Sequence, residues 1–127
     1  MTKNTIFVVE DEVIVARDIQ SRLQKMDYEV VGTAARGEDA VERVLDLRPD
    51  LVMMDINLRG EMDGIDAATN IRAEYDVPII FCTAYSNKET LARAKITVPY
   101  GYVLKPFDNR ELEITIEIAL YEHQINV

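Results

Sequence analysis

Ile6-Phe7-Val8-Val9-Glu10-Asp11-Glu12 is a short apolar run that breaks off into three consecutive acids. A run of this length, rich in β-branched and aromatic residues, reads as a buried strand. The stretch after the acids changes period, with Ile14, Ala16, Ile19, Leu23 and Met26 near one helical face until Asp27 ends it. Strand, acidic turn and helix form the first unit.

The same alternation continues outward along the chain. Val30 and Val31 mark a second strand up to about Ala34, and Gly37 opens a helix carrying Ala40, Val41, Val44 and Leu45 that Pro49 stops. Leu51 to Met54 is the third strand, followed by the turn signal Asp63-Gly64 and a helix with Ile65, Ala68 and Ile71. Pro78 starts the fourth strand, Ile79 to Cys82, and Ser86 with Glu89 reads as a capping box for a short helix through Leu91 and Ala94. Tyr102 to Leu104 is the fifth strand, and Asp108 with Glu111 caps a final helix holding Leu112, Ile116, Ala119 and Leu120. Nothing repeats, and no low-complexity linker divides residues 1–127, which read as one domain.

Strands that are nearly all apolar must be covered on both faces, and strict alternation with helices implies right-handed crossovers and a parallel sheet. The expected fold is therefore α/β, a doubly wound five-stranded parallel sheet of order 2-1-3-4-5, a flavodoxin-like three-layer sandwich. Such sheets bind ligands at the carboxyl ends of the strands, where the order reverses between strands 1 and 3.

Composition narrows the ligand. The 127 residues carry 48% hydrophobic and 29% charged side chains, ordinary for a globular chain, with a net charge of −9. That sign disfavours direct binding to nucleic acid or to an anionic membrane surface, and favours a cationic guest. One cysteine and one histidine cannot build the usual four-ligand zinc site, and the lone Cys82 suits a reducing, cytoplasmic compartment. No stretch reaches the roughly 18 apolar residues of a membrane span, and no targeting segment is visible.

The residues just past each strand carry the chemistry: Glu10, Asp11 and Glu12 after the first, Asp55 after the third, Thr83 after the fourth, Lys105 after the fifth. Crowded carboxylates without sulfur or imidazole select a hard cation, Mg²⁺ above all, with Mn²⁺ as an alternative. A carboxylate beside such an ion, an ammonium and a hydroxyl is also a phosphoryl acceptor, which points to aspartyl phosphate as product. Glu12 reads as a helix-terminus acid, Cys82 as a small core residue and His123 as a dipole-compatible residue in the last helical turn.

Taken together, Glu10-Asp11, Asp55, Thr83-Ala84 and Tyr102 ahead of Lys105-Pro106 resemble, over essentially the whole chain, the receiver domains of two-component response regulators, of the chemotaxis-regulator kind. The resemblance implies Asp55 as phosphoacceptor, Asp11 as direct Mg²⁺ ligand, Glu10 assisting through water, and the Asn57 backbone carbonyl as a further ligand. It implies that Lys105 pairs with the carboxylate or phosphate, that Thr83 and Tyr102 are the switch pair, and that Lys105-Pro106 is cis. The donor would be a sensor histidine kinase or phosphotransfer protein. The output surface would be the fourth helix, fifth strand and fifth helix, read by a downstream protein partner; a phosphorylation-dependent homodimer is compatible with the same scheme. Ala84 would leave the phosphoryl group accessible, and Tyr85 would govern the approach of water.

Three positions depart from the family pattern. Glu10 stands where Asp is commoner, the loop from Ile56 to Gly64 is one residue longer and lacks a proline four positions after Asp55, and Val98-Pro99-Tyr100-Gly101 replaces a Gly-Ala pair. A haloacid-dehalogenase-type phosphatase uses similar groups, but its nucleophile comes early, with an aspartate two residues on, and its acidic pair comes late. Here the pair comes first and Asn57 holds the second position. A receiver-like scaffold that takes no phosphate is disfavoured by the presence of Asp55, Thr83 and Lys105 together. No effector domain is read after the final helix, so the expected output runs through protein contacts and not through DNA.

Overall fold

A computed structural model describes residues 3–84, 88–96 and 100–125. Five strands, β1 (Thr5–Val9), β2 (Glu29–Ala34), β3 (Leu51–Met54), β4 (Ile79–Thr83) and β5 (Gly101–Leu104), alternate with helices α1 (Val13–Lys25), α2 (Gly37–Leu47), α3 (Gly64–Glu74), α4 (Lys88–Ile96) and α5 (Asn109–Ile125). The strands form one parallel sheet in the order β2-β1-β3-β4-β5, as expected from the alternation.

Side chains that alternate along a strand feed opposite layers. Phe7, Val9, Val52, Met54, Ile79 and Phe81 pack with α2, α3 and Ala94 of α4. Ile6, Val8, Leu51, Met53, Ile80 and Cys82 pack with Ile19 and Leu23 of α1 and with Leu112, Ile116 and Ala119 of α5. Both faces of β1 and β3 are thus inside the protein, which is why these strands lack polar alternation.

The helices start and stop close to the expected points. α2 ends at Arg48 in the left-handed region, φ 48°, directly before Pro49. Asp63 caps α3 through the Asp66 amide at 2.9 Å, while the Asp66 carboxylate accepts from the Asp63 amide at 3.4 Å, a reciprocal box where the sequence reading saw only a turn. Asp108 Oδ1 accepts from the Glu111 amide at 2.7 Å, so the second expected capping residue does its job. The box expected at Ser86, and residues Tyr85, Val98 and Pro99, lie outside the described residues.

One core assignment fails. Ile14, placed on the buried stripe of the first helix, is 83% exposed. The true stripe is Ala16, Ile19 and Leu23, and two residues of helix back from Ala16 rotate Ile14 about 200° away from it. Among the described residues, no helix is long and apolar enough to cross a membrane.

Candidate functional site

The carboxyl ends of β1 and β3 are neighbours, so their following residues meet. The Asp55 amide donates to the Val9 carbonyl at 3.0 Å, and the Glu10 amide to the Ala34 carbonyl at 3.0 Å, carrying the ladder one residue past each strand. On the other side, the Lys105 amide donates to the Thr83 carbonyl at 2.9 Å, and Lys105-Pro106 is cis. Backbone pairing, not side-chain reach, brings Glu10, Asp11, Asp55, Thr83 and Lys105 together.

Glu10, Asp55 and Thr83 are buried, although all three are polar. One carboxylate oxygen from each of Glu10, Asp11 and Asp55 lies within 4.8 Å of the other two. Lys105 Nζ reaches Asp55 Oδ2 at 3.4 Å and pairs more closely with Glu10 Oε1. Glu10 Oε2 accepts from the Glu12 amide at 3.2 Å. Glu12 itself occupies the position before α1 and makes no side-chain cap. Placing Glu10 here gives Lys105 a second carboxylate.

Burial, with Glu10 alongside, pushes the Asp55 carboxyl up to about 7; Lys105 and the Asn57 amide pull the other way. Burial alone would lower the Lys105 ammonium, but hydrogen bonding to Glu10 and the charges of Asp55 and Glu10 outweigh it and hold the ammonium above its ordinary value. The crowded acids therefore favour cations, and an all-oxygen donor set of this kind fits a hard divalent ion.

Asn57 is exposed in the loop after β3, and its amide donates to Asp55 Oδ1 at 3.3 Å. Its side-chain amide makes a long hydrogen bond, 3.5 Å, to Thr83 Oγ1, a link the sequence did not suggest. Tyr102 is half-buried on the α2-α3-α4 side, its ring 6.4 Å from Phe81 in an edge-on arrangement, and burial raises its phenol. It lies two residues before Leu104, the register partner of Thr83, and so on the same face of β5 as that partner.

The loop from Asp55 to α3 is pinned at both ends. The Gly64 amide donates to the Ile56 carbonyl at 2.8 Å, and a Cβ at Gly64 would lie 2.0 Å from the Asp55 carbonyl oxygen, so only glycine permits this approach. The Met62 amide donates to Glu38 Oε1 at 3.2 Å, and the Arg59 and Arg36 backbones form an isolated parallel bridge. Arg59 Nε lies 3.6 Å from Asp11 Oδ2, a second cation at the acid cluster that sequence reasoning missed. Its only sequence signal was a charge in the loop that begins at Asp55.

Cys82 is buried and its thiol is pushed up to about 12, chiefly by burial, so it is inert. His123 sits elsewhere, its Nε2 3.0 Å from the Asp76 carbonyl oxygen and its ring against Tyr100. A cleft of about 580 Å³ lies at the opposite end of the strands beside Asn4, Asp50 and Pro78, and is lined by none of the residues discussed above as site candidates.

An acid cluster with a lysine and a threonine beside it thus stands at the carboxyl end of a doubly wound parallel sheet. Residues 6–117 match the response regulator receiver domain, and the chain belongs to that family of two-component systems. It is 36% identical over 115 residues to the transcriptional regulatory protein PdtaR of Mycobacterium tuberculosis, covering 91% of this chain and 56% of that one. The chain thus spans about half the length of that curated relative. Among solved structures, it superposes on the signal receiver domain of a modulated diguanylate cyclase from Desulfovibrio desulfuricans with a TM-score of 0.94, at 35% identity, covering 99% of this chain and 100% of the other. It also matches the BeF3-activated N-terminal receiver domain of RstA from Klebsiella pneumoniae, TM-score 0.84 at 30% identity, covering 92% and 98%.

Proposed function

We propose that residues 1–127 act as one cytoplasmic receiver unit in which Asp55 accepts a phosphoryl group from a phosphohistidine on a sensor kinase or phosphotransfer protein. The observation that carries this is a buried Asp55 with Lys105 Nζ 3.4 Å from its Oδ2 at the sheet's reversal point, and a buried Thr83 at the end of the neighbouring strand β4. An Asp55 oxygen attacks phosphorus, the bond to the donor imidazole breaks, and the imidazole leaves. Lys105, held protonated by its two carboxylates, neutralises charge on the transferring oxygens, and Thr83 donates a hydrogen bond to them.

Asp11 and Asp55 would hold Mg²⁺ or Mn²⁺ directly, Glu10 through water and Asn57 through its backbone carbonyl, and the ion would supply positive charge to the phosphoryl oxygens. The chain's own part is to hold three carboxylates close together.

The domain is a switch, with only slow self-dephosphorylation as a second reaction. Engaging the phosphoryl group draws Thr83 away from Asn57, Tyr102 takes up the released space, and the α4-β5-α5 face changes for a protein partner. Neither nucleic acid nor membrane is a direct ligand of this unit. Intact-mass measurement after incubation with acetyl phosphate and Mg²⁺ tests the reading. Wild type should gain one phosphoryl mass and Asp55→Asn none; no gain in wild type, or an equal gain in the variant, overturns it.

A further inference from the structure

The acid cluster is neutralised unevenly. Lys105 serves Glu10 and Asp55, whereas Asp11 has Arg59, 3.6 Å away, as its cation. Three carboxylates face two cations, which leaves one net negative charge. The two pairings differ in solvent contact: the side chains of Glu10 and Asp55 are 1% and 8% exposed, that of Asp11 14%, and that of Arg59 78%. Asp11 is thus the acid on the open side of the cluster, and its partner is the hydrated one.

Arg59 is directed there by the backbone. Its bridge to Arg36 fixes the middle of the loop, and Gly60 turns the chain immediately afterwards with φ 100°. Arg36 itself faces Gly60, where a Cβ would lie 3.2 Å from its Nη1, and not Asp11. Two arginines therefore stand close in the fold, but only one is paired with the cluster.

We propose that Arg59 is a resident counter-ion of Asp11 that opposes divalent-cation binding and so sets the cation affinity of the site. The inference rests on the cation reading given under Proposed function and adds a residue that tunes it. A divalent ion entering beside Asp11 meets the field of the guanidinium. A pair with one partner in water is weak, so Arg59 yields where the Lys105 pairing with two buried acids holds. Cation entry then displaces Arg59 and leaves Lys105 in place for the phosphoryl group. Because the pair faces water, its opposition weakens as salt rises.

Calorimetric Mg²⁺ titration of the unphosphorylated chain tests this with wild type, Arg59→Gln, Arg59→Lys, Arg36→Gln and Asp11→Asn, at low and high NaCl. Arg59→Gln should bind Mg²⁺ about two- to fivefold tighter at low salt, with the gain shrinking at high salt. Arg59→Lys and Arg36→Gln should stay near wild type, and Asp11→Asn should lose binding. Unchanged or weaker binding by Arg59→Gln overturns the inference, as does an equal gain in Arg36→Gln, which would mean bulk charge and not a specific pair. Wild type that binds Mg²⁺ through Asp11 without responding to Arg59→Gln overturns the inference alone. Wild type that binds no Mg²⁺ overturns the cation reading and the inference with it.

Discussion

From Ile6 to Val9 and from Leu51 to Met54 every side chain of β1 and β3 is buried, whereas β5 fully buries only Val103 and leaves Leu104 44% exposed. The helices beside them differ in the same way. α3 buries Ile65, Ala67, Ala68 and Ile71, while among the described side chains of α4 only Ala94 is buried. What ties α4 to the rest includes an exposed fork, Arg93 to Asp63 Oδ2 at 2.9 Å and to Asp66 Oδ1 at 3.4 Å. Partial burial would raise the Asp63 carboxyl, but the Asp66 amide and Arg93 outweigh it and hold it below its ordinary value. The acid cluster stands on the densely packed half, and the face proposed above to change on phosphorylation stands on the lightly held half.

Substitutions can break this contrast. Ile71→Ala empties a fully buried position under the packed half and should cost about 2–5 kcal/mol in a urea titration. Gly64→Ala forces a methyl group against the Asp55 carbonyl and should cost about 3 kcal/mol, with the same titration reading it and Mg²⁺ binding falling alongside. Either variant unfolding at the wild-type midpoint would remove the claim that this half is the rigid one.

Asp55→Asn should act in the opposite direction. The folded Asp55 carboxyl, at about 7, lies above its ordinary 3.8. The folded chain therefore holds an extra proton between these values and loses stability as pH rises from about 4 to about 7. Replacing the acid removes that loss, so the cation-free variant should melt higher at pH 8 by on the order of 1 kcal/mol, about 3–5 °C, with the gain vanishing near pH 4. A variant that melts lower at pH 8 would show that the crowded acids carry no net cost. Arg93→Ala is the smallest effect, below about 1 kcal/mol in global stability, but amide exchange in α4 should rise more than in α3.

How much of this was legible in the sequence follows from the range of each interaction. β1 and β3 announce themselves by continuous apolar runs ending in acids, and the crossover rule orders the strands without any contact being known. The meeting of Glu10, Asp11, Asp55, Thr83 and Lys105 follows from that order alone. Arg59 beside Asp11, Asn57 on Thr83 and Arg93 on Asp63 join residues far apart in sequence through side-chain direction, for which no local pattern exists. Ile14 misled because an apolar residue near a helix start satisfies the helical spacing loosely while facing water. The reciprocal box of Asp63 and Asp66 was readable in principle, with Asp in the place of the usual Glu.

The central claim is that phosphorylation on the packed half is read on the lightly held one. Hydrogen-deuterium exchange of wild type with Mg²⁺, before and after acetyl phosphate, with Asp55→Asn as control, tests it directly. Exchange should change in α4, β5 and the start of α5 while β1 and β3 stay protected, and the control should not respond. Phosphorylated protein whose exchange is unchanged, or changes equally across β1, β3 and α4, would contradict the account.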